Sequence, residues 1–143
     1  MNSDMTVAIH SLVFLAYLPE HMASSESIAS SVSTNPTRVR KIMSCLRAHG
    51  FVRTKEGIGG GYILNCDPRQ VTLADIYRAF LCGMTLKPHW NSGDPEDSCL
   101  VSSNMPSVMD DIFQEAETQY QKCLEQMTIQ NVLERVQDCK HTS

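Results

Sequence analysis

The sequence predicts a mainly α-helical domain with a small β wing and a long C-terminal helix. Apolar residues recur at helical spacing over most of the chain. A glycine-rich turn at 55–61 separates two short runs of β-favouring residues. A further apolar pattern, from about Met105 to Met127, would span about 35 Å as a helix, more than a small domain needs for its own core. With 143 residues, of which 42% are hydrophobic, one domain accounts for the chain.

Two helices are expected at the start of the chain. The first covers residues 4–18, where apolar side chains occupy most of the helix surface, and Pro19 ends it. The second begins with a serine cap at Ser24 or Ser25 and continues to about Val32. Its narrow apolar stripe lies among small serines, so it can pack closely against a neighbouring helix.

A third helix is expected to begin at Pro36. Asn35 is a favourable N-cap, and proline costs nothing at the first helical position because the N–H that it lacks is unpaired there. Gly50 can supply the left-handed residue that ends the helix. The apolar stripe of this helix comprises Val39, Ile42, Met43 and Leu46. The opposite face carries Thr37, Lys41 and Ser44, flanked by Arg38 and Arg40.

The glycine-rich turn predicts a wing next to this third helix. Phe51–Thr54 and Tyr62–Leu64 are the expected strands. A glycine-rich loop that binds nucleotide phosphates leads from a strand into a helix and usually precedes Lys-Ser or Lys-Thr, and both features are missing from the sequence. Two helices joined by a short turn, followed by a two-stranded wing, make a winged helix-turn-helix, whose second helix can enter the major groove of DNA.

The second half of the chain is expected to be helical around one long loop. Thr72 caps a helix over 71–82, and a stretch without periodicity covers 83–104. The long helix follows, and Thr128 caps a last helix. The surplus length of the long helix suits packing against a partner helix. One side of it is expected to carry Met109, Ile112, Phe113, Ala116, Tyr120, Cys123, Leu124 and Met127.

Charge is unevenly distributed along the chain. Taken as an average, the net charge of −4 argues against nucleic acid as a partner. Residues 1–64 carry six basic and four acidic side chains, whereas residues 65–143 carry six and twelve. The stretch 35–55 holds six basic residues and no acid. A solvated helix face would explain this stretch by itself, but its place on the helix-turn-helix and the wing favours contact with DNA phosphates.

Four motifs follow one another along the chain. They are Val7-Ala8-Ile9-His10, Ser33-Thr34-Asn35-Pro36 with Val39-Arg40-Lys41-Ile42-Met43, Gly57-Ile58-Gly59-Gly60-Gly61-Tyr62-Ile63-Leu64, and Val71-Thr72-Leu73-Ala74-Asp75-Ile76-Tyr77. In this order they strongly resemble the Rrf-two family of bacterial winged-helix regulators, which includes IscR, NsrR and CymR. The resemblance covers essentially the whole chain. It implies a homodimer, joined through the long helices, that reads a palindromic operator in double-stranded DNA. The leading hypothesis is therefore a DNA-binding transcriptional regulator that acts as a repressor.

The resemblance also implies where each function lies. The expected division is a winged helix-turn-helix DNA-binding domain at 1–82, a sensor loop at 83–104, dimerisation helices at 105–138 and a tail at 139–143. DNA contacts are expected on the third helix and on the wing. The candidate residues are Asn35, Thr37, Arg38, Arg40, Lys41, Ser44, Arg53, Lys55, Gly59, Gly60 and Tyr62.

The cysteines depart from the pattern of the family's cluster-binding members, which hold iron and sulfur through three cysteines in the loop before the long helix. Here that loop holds only Cys99, and the nearest other cysteines are Cys82 and Cys123. His89 is a speculative substitute ligand. No metal site and no cofactor is therefore expected. Cys82 and Cys123 are expected in the core, and Cys45 and Cys66 are expected to be semi-buried.

Cys99 is the candidate redox sensor, because a thiol in a loop beside the dimerisation helix can be oxidised to a sulfenic acid or a disulfide and so change DNA affinity. Two effects oppose each other at this thiol. Asp94, Glu96 and Asp97 should raise its pKa, and the nearby N-terminus of the long helix should lower it.

Other functions are weighed against DNA-binding regulation. Two alternatives remain. One is a winged-helix module that binds protein, and the other is a regulator that responds to a small molecule or to an atypical iron–sulfur cluster. An enzyme is not expected, because no nucleophile, base and orienting group occur in a supporting arrangement. The sequence lacks both an apolar run of roughly 18 to 20 residues and a secretion signal, so a cytoplasmic protein without a membrane partner is expected.

Overall fold

The computed structural model describes residues 3–81 and 90–139, and these are mainly α-helical with one small antiparallel sheet. The predicted fold class is thereby confirmed. The helices are α1 (Ser3–Tyr17), α2 (Ser25–Val32), α3 (Pro36–Ala48), α4 (Leu73–Phe80), α5 (Leu100–Glu125) and α6 (Ile129–Cys139). The strands are β1 (Met22–Ala23), β2 (Val52–Lys55) and β3 (Gly61–Leu64). Within the described residues, no helix is both long enough and apolar enough to cross a lipid bilayer.

Side-chain caps fix both helices of the helix-turn-helix at their predicted starts. The Ser24 hydroxyl accepts a hydrogen bond from the N–H of Ser27 at 3.1 Å, which caps α2. Ser33 follows α2 in the left-handed conformation and turns the chain towards α3. Asn35 caps α3 in front of Pro36. The turn between α2 and α3 is therefore defined by local chemistry at both of its ends.

The wing is part of a three-stranded sheet with the order β1-β3-β2. No prediction covers β1, because a strand of two residues has no periodicity to detect. It forms where His21 adopts a positive φ of 55° and directs the chain alongside β3. Met22 then pairs with Ile63, and Ala23 pairs with Tyr62. This extra strand ties the base of the wing to the segment that follows α1.

The core surrounds α1, which packs against α2, α3, α4 and α6. Ser11 is the one buried polar residue among the described positions, and its hydroxyl donates to the carbonyl of Val7 at 2.7 Å. This bond within the helix satisfies a group that would otherwise be buried without a partner. The largest fully buried apolar side chains are Met5, Leu12, Leu15, Ile28, Ile42, Met43, Leu46, Ile76 and Ile129.

The long helix α5 begins at Leu100 rather than at Met105, so the last residues of the predicted sensor loop are helical. The helix continues through Pro106, although proline is rare inside helices because it lacks a backbone N–H. Pro106 cannot donate to the carbonyl of Ser102. The N–H of Asp94 donates to that carbonyl instead, at 3.0 Å. The segment before α5 thus docks where the helix lacks its own donor.

One edge of α5 packs against the body of the chain. Leu124 is buried, and Tyr120 packs edge-on against Tyr77 of α4 with ring centroids 5.3 Å apart. The Tyr77 hydroxyl donates to the Glu117 carboxylate at 2.5 Å. Burial and this hydrogen bond both raise the pKa of Tyr77. These contacts join the long helix to the winged domain.

A second edge of α5 is apolar and faces outwards. At 100° per residue, Val101, Met105, Val108 and Ile112 lie on one line along the helix. Val101, Val108 and Ile112 are 65%, 50% and 51% exposed, respectively. Cys123 lies on the same edge and is exposed, so its prediction as a core residue is wrong. The apolar side predicted for this helix is in fact divided between the inner edge and the outer edge.

The predicted cap at Thr128 is present at the start of α6. The N–H of Asn131 donates to the Thr128 hydroxyl at 3.0 Å, and the Asn131 side chain accepts from the N–H of Thr128 at 2.9 Å. The N–H of Ile129 also donates to the carbonyl of Val71 at 3.0 Å. This junction fixes α6 beside the start of α4. Cys82, His89 and the tail after Cys139 lie outside the described residues.

Candidate nucleic-acid interface

The outer face of α3 is the first part of the candidate interface. Thr37, Lys41 and Ser44 are exposed on it, while the opposite stripe is buried. Because α3 is amphipathic, these three side chains point to solvent in one row. Among the described residues, Lys41 has no hydrogen-bond or ion-pair partner, so its ammonium group can reach a phosphate.

Asn35 and Arg38 have structural partners. The Asn35 side chain accepts a hydrogen bond from the N–H of Arg38 at 2.8 Å. The Arg38 guanidinium turns back to α1, where it lies 3.1 Å from the Asp4 carboxylate and donates to the Ser3 hydroxyl at 2.8 Å. Both side chains therefore hold α3 in place. The charge pattern alone does not separate Arg38 from its more accessible neighbours.

Arg40 bridges α3 to α2 at the surface. Its guanidinium donates to the Ser25 hydroxyl at 3.2 Å and lies 3.8 Å from the Glu26 carboxylate. A weaker contact reaches the Thr37 hydroxyl at 3.5 Å. The Arg40 and Glu26 side chains are 52% and 71% exposed, and exposed pairs of this kind contribute about 0–1 kcal/mol. Arg40 can consequently exchange these partners for a phosphate at little cost.

The wing supplies the second basic group of the interface. Arg53 and Lys55 are exposed on β2, which pairs with β3. Tyr62 on β3 is half-buried and packs against the core, so it anchors the base of the wing. Gly60 is required by close packing, because a Cβ atom there would lie 2.1 Å from the carbonyl oxygen of Lys55. Gly59 has a φ of 77°, which glycine adopts readily.

The tip of the wing carries an apolar residue that no prediction singles out. Ile58 is 107% exposed, more than any other large hydrophobic residue among the described positions. The N–H of Gly60 donates to the carbonyl of Gly57 at 3.1 Å, and Gly59 has the positive φ of the third position of a type II turn. Ile58 occupies the second position, at the corner. The available signal in the sequence was a single apolar residue within the glycine-rich run 57–61, which indicates an exposed apolar side chain at the turn.

Cys99 is the exposed N-cap residue of α5. Its thiol makes no capping hydrogen bond of standard geometry, yet the backbone N–H groups of Ser102 and Val101 lower its pKa. Of the two opposing effects expected at this thiol, the effect of the helix N-terminus is the larger, since the pKa is lowered. The Asp97 carboxylate accepts the N–H of Cys99 itself at 2.9 Å. The helix N-terminus therefore decides the acidity of the thiol.

The remaining thiols differ from Cys99. Cys45 and Cys66 are half-buried, as predicted. Burial, with a smaller contribution from the Asp67 carboxylate, raises the pKa of Cys66 to about 11. Within residues 3–81 and 90–139, no three His, Cys, Asp or Glu side chains come together in a way that could hold a metal ion. The described donors therefore do not fit an iron ion or an iron–sulfur cluster.

Solved structures of regulators share this fold. T. potens IscR superposes with a TM-score of 0.73 over 97% of this chain and 89% of its own, at 18% identity. CymR of B. subtilis, named as the global cysteine regulator of that organism, superposes with a TM-score of 0.63 over 94% of this chain and 96% of its own, at 21% identity. At these identities the likeness extends to the fold alone.

Sequence comparison assigns the family. The model of the Rrf2 family, described as an iron-dependent transcriptional regulator, matches residues 1–135. YwnA of Bacillus subtilis (strain 168), named as an HTH-type transcriptional regulator, is 30% identical over 134 residues, which are 93% of this chain and 96% of YwnA. The family and these relatives are regulators rather than enzymes. The chain therefore belongs to the Rrf2 family of DNA-binding transcriptional regulators.

Proposed function

We propose that the protein is a homodimeric repressor that binds a palindromic operator through α3 and the wing of each protomer. The observation that carries this proposal is the exposed row of Thr37, Lys41 and Ser44 on α3, accompanied by Arg53 and Lys55 on the wing. Hydroxyl groups on a helix of this kind can read base edges in the major groove, and the Lys41 ammonium group can contact a phosphate beside it. The basic groups of the wing can neutralise phosphates on either side of it.

The outer edge of α5 supports the homodimer. Val101, Met105, Val108 and Ile112 are separated by four, three and four residues, which is the spacing of a helix that packs against another helix. An exposed apolar stripe of this length is unfavourable in water. A second copy of the chain can cover it through a twofold interface, in which the same surface faces itself.

A second unpartnered apolar surface lies between α1 and α6. It is a groove of about 1020 Å³, and Tyr17 and Val136 on its walls are 58% and 56% exposed. The polar residues of its lining are Thr6, His10, Ser31, Gln137 and Cys139, and His10 shares a hydrogen bond of 3.0 Å with the Ser31 hydroxyl. We propose that a second copy of the chain covers this groove as well, because most of its lining is apolar and Tyr17 and Val136 are exposed.

The test of the proposed function is selection of DNA by the full chain. The purified protein, incubated with sheared genomic DNA, should recover fragments that share two inverted half-sites about one helical turn apart. Fluorescence anisotropy should give an affinity for these fragments about 10³-fold or more above that for unrelated DNA. Added protein should reduce transcription in vitro from promoters that overlap these sites. Recovery of fragments without a shared site would contradict the proposal.

We further propose that Cys99 makes DNA binding sensitive to oxidants such as hypochlorous acid. The Cys99 thiolate attacks the chlorine atom, which gives a sulfenyl chloride and hydroxide. Water then displaces chloride and releases a proton, which leaves a sulfenic acid. The lowered pKa supports this step, since the thiolate is the nucleophile. The product forms at the first turn of α5, on the proposed dimerisation helix.

The pH dependence of alkylation tests the acidity of Cys99. Because its pKa is lowered, its rate of reaction with iodoacetamide should reach half of its maximum below pH 9, whereas the rate for Cys66 should still rise near pH 11. Peptide mass spectrometry after timed quenching measures both rates in one sample. Equal profiles for the two thiols would contradict the expected acidity.

The redox proposal itself is tested with DNA. Hypochlorous acid should change the operator affinity of the parent protein and leave that of Cys99→Ser unchanged. Cys66→Ser removes a half-buried thiol of raised pKa outside the proposed dimer surfaces, so it is the control and should respond as the parent does. If hypochlorous acid changed the operator affinity of Cys99→Ser as much as that of the parent, Cys99 would be dismissed as the sensor.

A further inference from the structure

The turn at the tip of the wing holds Ile58 away from the rest of the chain. Ile58 sits at the corner of a hydrogen-bonded turn between Gly57 and Gly60, and its side chain is 107% exposed. In this geometry the corner residue projects outwards from the two strands. A branched apolar side chain therefore occupies the outermost point of the wing.

Close backbone packing gives this tip a fixed position. A Cβ atom at Gly60 would lie 2.1 Å from the Lys55 carbonyl oxygen, and one at Gly61 would lie 2.4 Å from the Ala23 carbonyl oxygen. The Lys55 and Gly61 pair closes the hairpin directly below the turn. The strands thus approach each other and β1 more closely than side chains would permit. Ile58 is presented on a narrow, preorganised support.

The charges around the tip favour nucleic acid as its partner. Arg53 and Lys55 lie on the strand that leads to the turn, and both are exposed. Glu56 is the one acid in the wing, and it immediately precedes the turn. The surface thus has cations along its side, where phosphates would lie, and an apolar group at its point. A flat apolar protein partner would leave the cations without counterparts.

We propose that Ile58 enters the minor groove of the operator and partly unstacks a base step there, which makes it a specificity-determining residue. The inference rests on the proposed binding mode, in which α3 occupies the adjacent major groove. The minor groove is about 6 Å wide, so only a narrow support can enter it. Apolar side chains that enter it wedge between bases and kink the duplex. Pyrimidine–purine steps such as TA yield most easily and are therefore preferred beneath Ile58.

The probe for the test is a duplex that the full chain has selected from random-sequence DNA. Duplexes are compared that carry identical half-sites and either TA or GC at the step beneath the wing. The parent should bind the TA duplex more tightly. Ile58→Ser should lose about tenfold in affinity for the TA duplex, since the burial of an isoleucine side chain is lost, and little for the GC duplex. 2-Aminopurine placed at the step should brighten with the parent and not with Ile58→Ser.

Controls separate the possible outcomes. Ile58→Ser should unfold at the same urea concentration as the parent, because Ile58 makes no core contacts. Arg53→Gln should weaken binding to the TA and GC duplexes equally, as loss of a phosphate contact does. Equal affinities of Ile58→Ser and the parent on the TA duplex would overturn the inference and leave the proposed function standing. Failure of the parent to select any sequence would overturn the proposed function itself. Loss of repression at unchanged DNA affinity would assign Ile58 to a protein partner instead.

Discussion

Ile112→Asp is expected to convert the dimer to a monomer and to weaken operator binding about 10²- to 10⁴-fold. Ile112 lies midway along the outer edge of α5 and is 51% exposed in the single chain. In a twofold interface both copies would bury the new carboxylate without a counter-ion. The two DNA-binding surfaces would then no longer be linked, and the gain from simultaneous binding of both half-sites would be lost. Light scattering measures the mass, and fluorescence anisotropy measures the affinity.

Gln114→Asp is the matched control for this experiment. Gln114 is exposed on the same helix, but at 100° per residue it lies on nearly the opposite side from Ile112. The same charge placed there should leave both the mass and the affinity unchanged. Circular dichroism should give the same helix content for both variants. A dimer of Ile112→Asp with parental DNA affinity would exclude the outer edge of α5 as the interface.

The double variant Lys41→Gln/Arg53→Gln is expected to show the second large effect, a loss of affinity for every DNA sequence. Each lost phosphate contact should reduce the slope of log K against log salt by about 0.9, and a dimer loses each contact twice. Operator and unrelated DNA should be weakened by similar factors, since phosphate contacts carry no sequence information. Anisotropy titrations between low and physiological salt give both slopes.

Two other basic residues serve as controls for this slope. Arg135→Gln removes the same charge from the exposed surface of α6, so it should leave the salt slope unchanged. Arg38→Gln should lower the urea midpoint, because it leaves Asp4 without this ion-pair partner, and its effect on the slope should be small. If Arg38→Gln reduced the slope as strongly as Lys41→Gln, Arg38 would have to release Asp4 and contact DNA.

Local chemistry explains why much of the fold was predictable. Ser24, Asn35, Thr72 and Thr128 each carry a side chain that satisfies the first turn of the helix behind it, and each is found as a cap. Such signals need only a few neighbouring residues. Strand β1 forms by pairing with β3, which lies about forty residues further along the chain, and no local sequence pattern predicts it.

The candidate site was predictable in its residue types and less so in their roles. The basic stretch contains Lys41 and Arg38 alike, but the first faces solvent and the second faces Asp4 on α1. That difference depends on how α1 and α3 pack against each other, which cannot be deduced from the number of charged residues in the stretch. Ile58 was not predicted as a DNA contact because basic charge was the guide to such contacts, and Ile58 is apolar. Cys123 was misplaced because the helical spacing of apolar residues in α5 does not indicate which of its two apolar edges packs against the core.

Pro106 has a consequence for how α5 opens. Because Pro106 has no N–H to donate to the Ser102 carbonyl, that acceptor is left to the N–H of Asp94. Both acceptors of the Asp94 N–H, the carbonyl and the hydroxyl of Ser102, lie on α5, so this amide proton can exchange with solvent only when its segment and the helix come apart. Exchange at Asp94 thus reports on how firmly the segment before α5 is held against the helix that Cys99 begins.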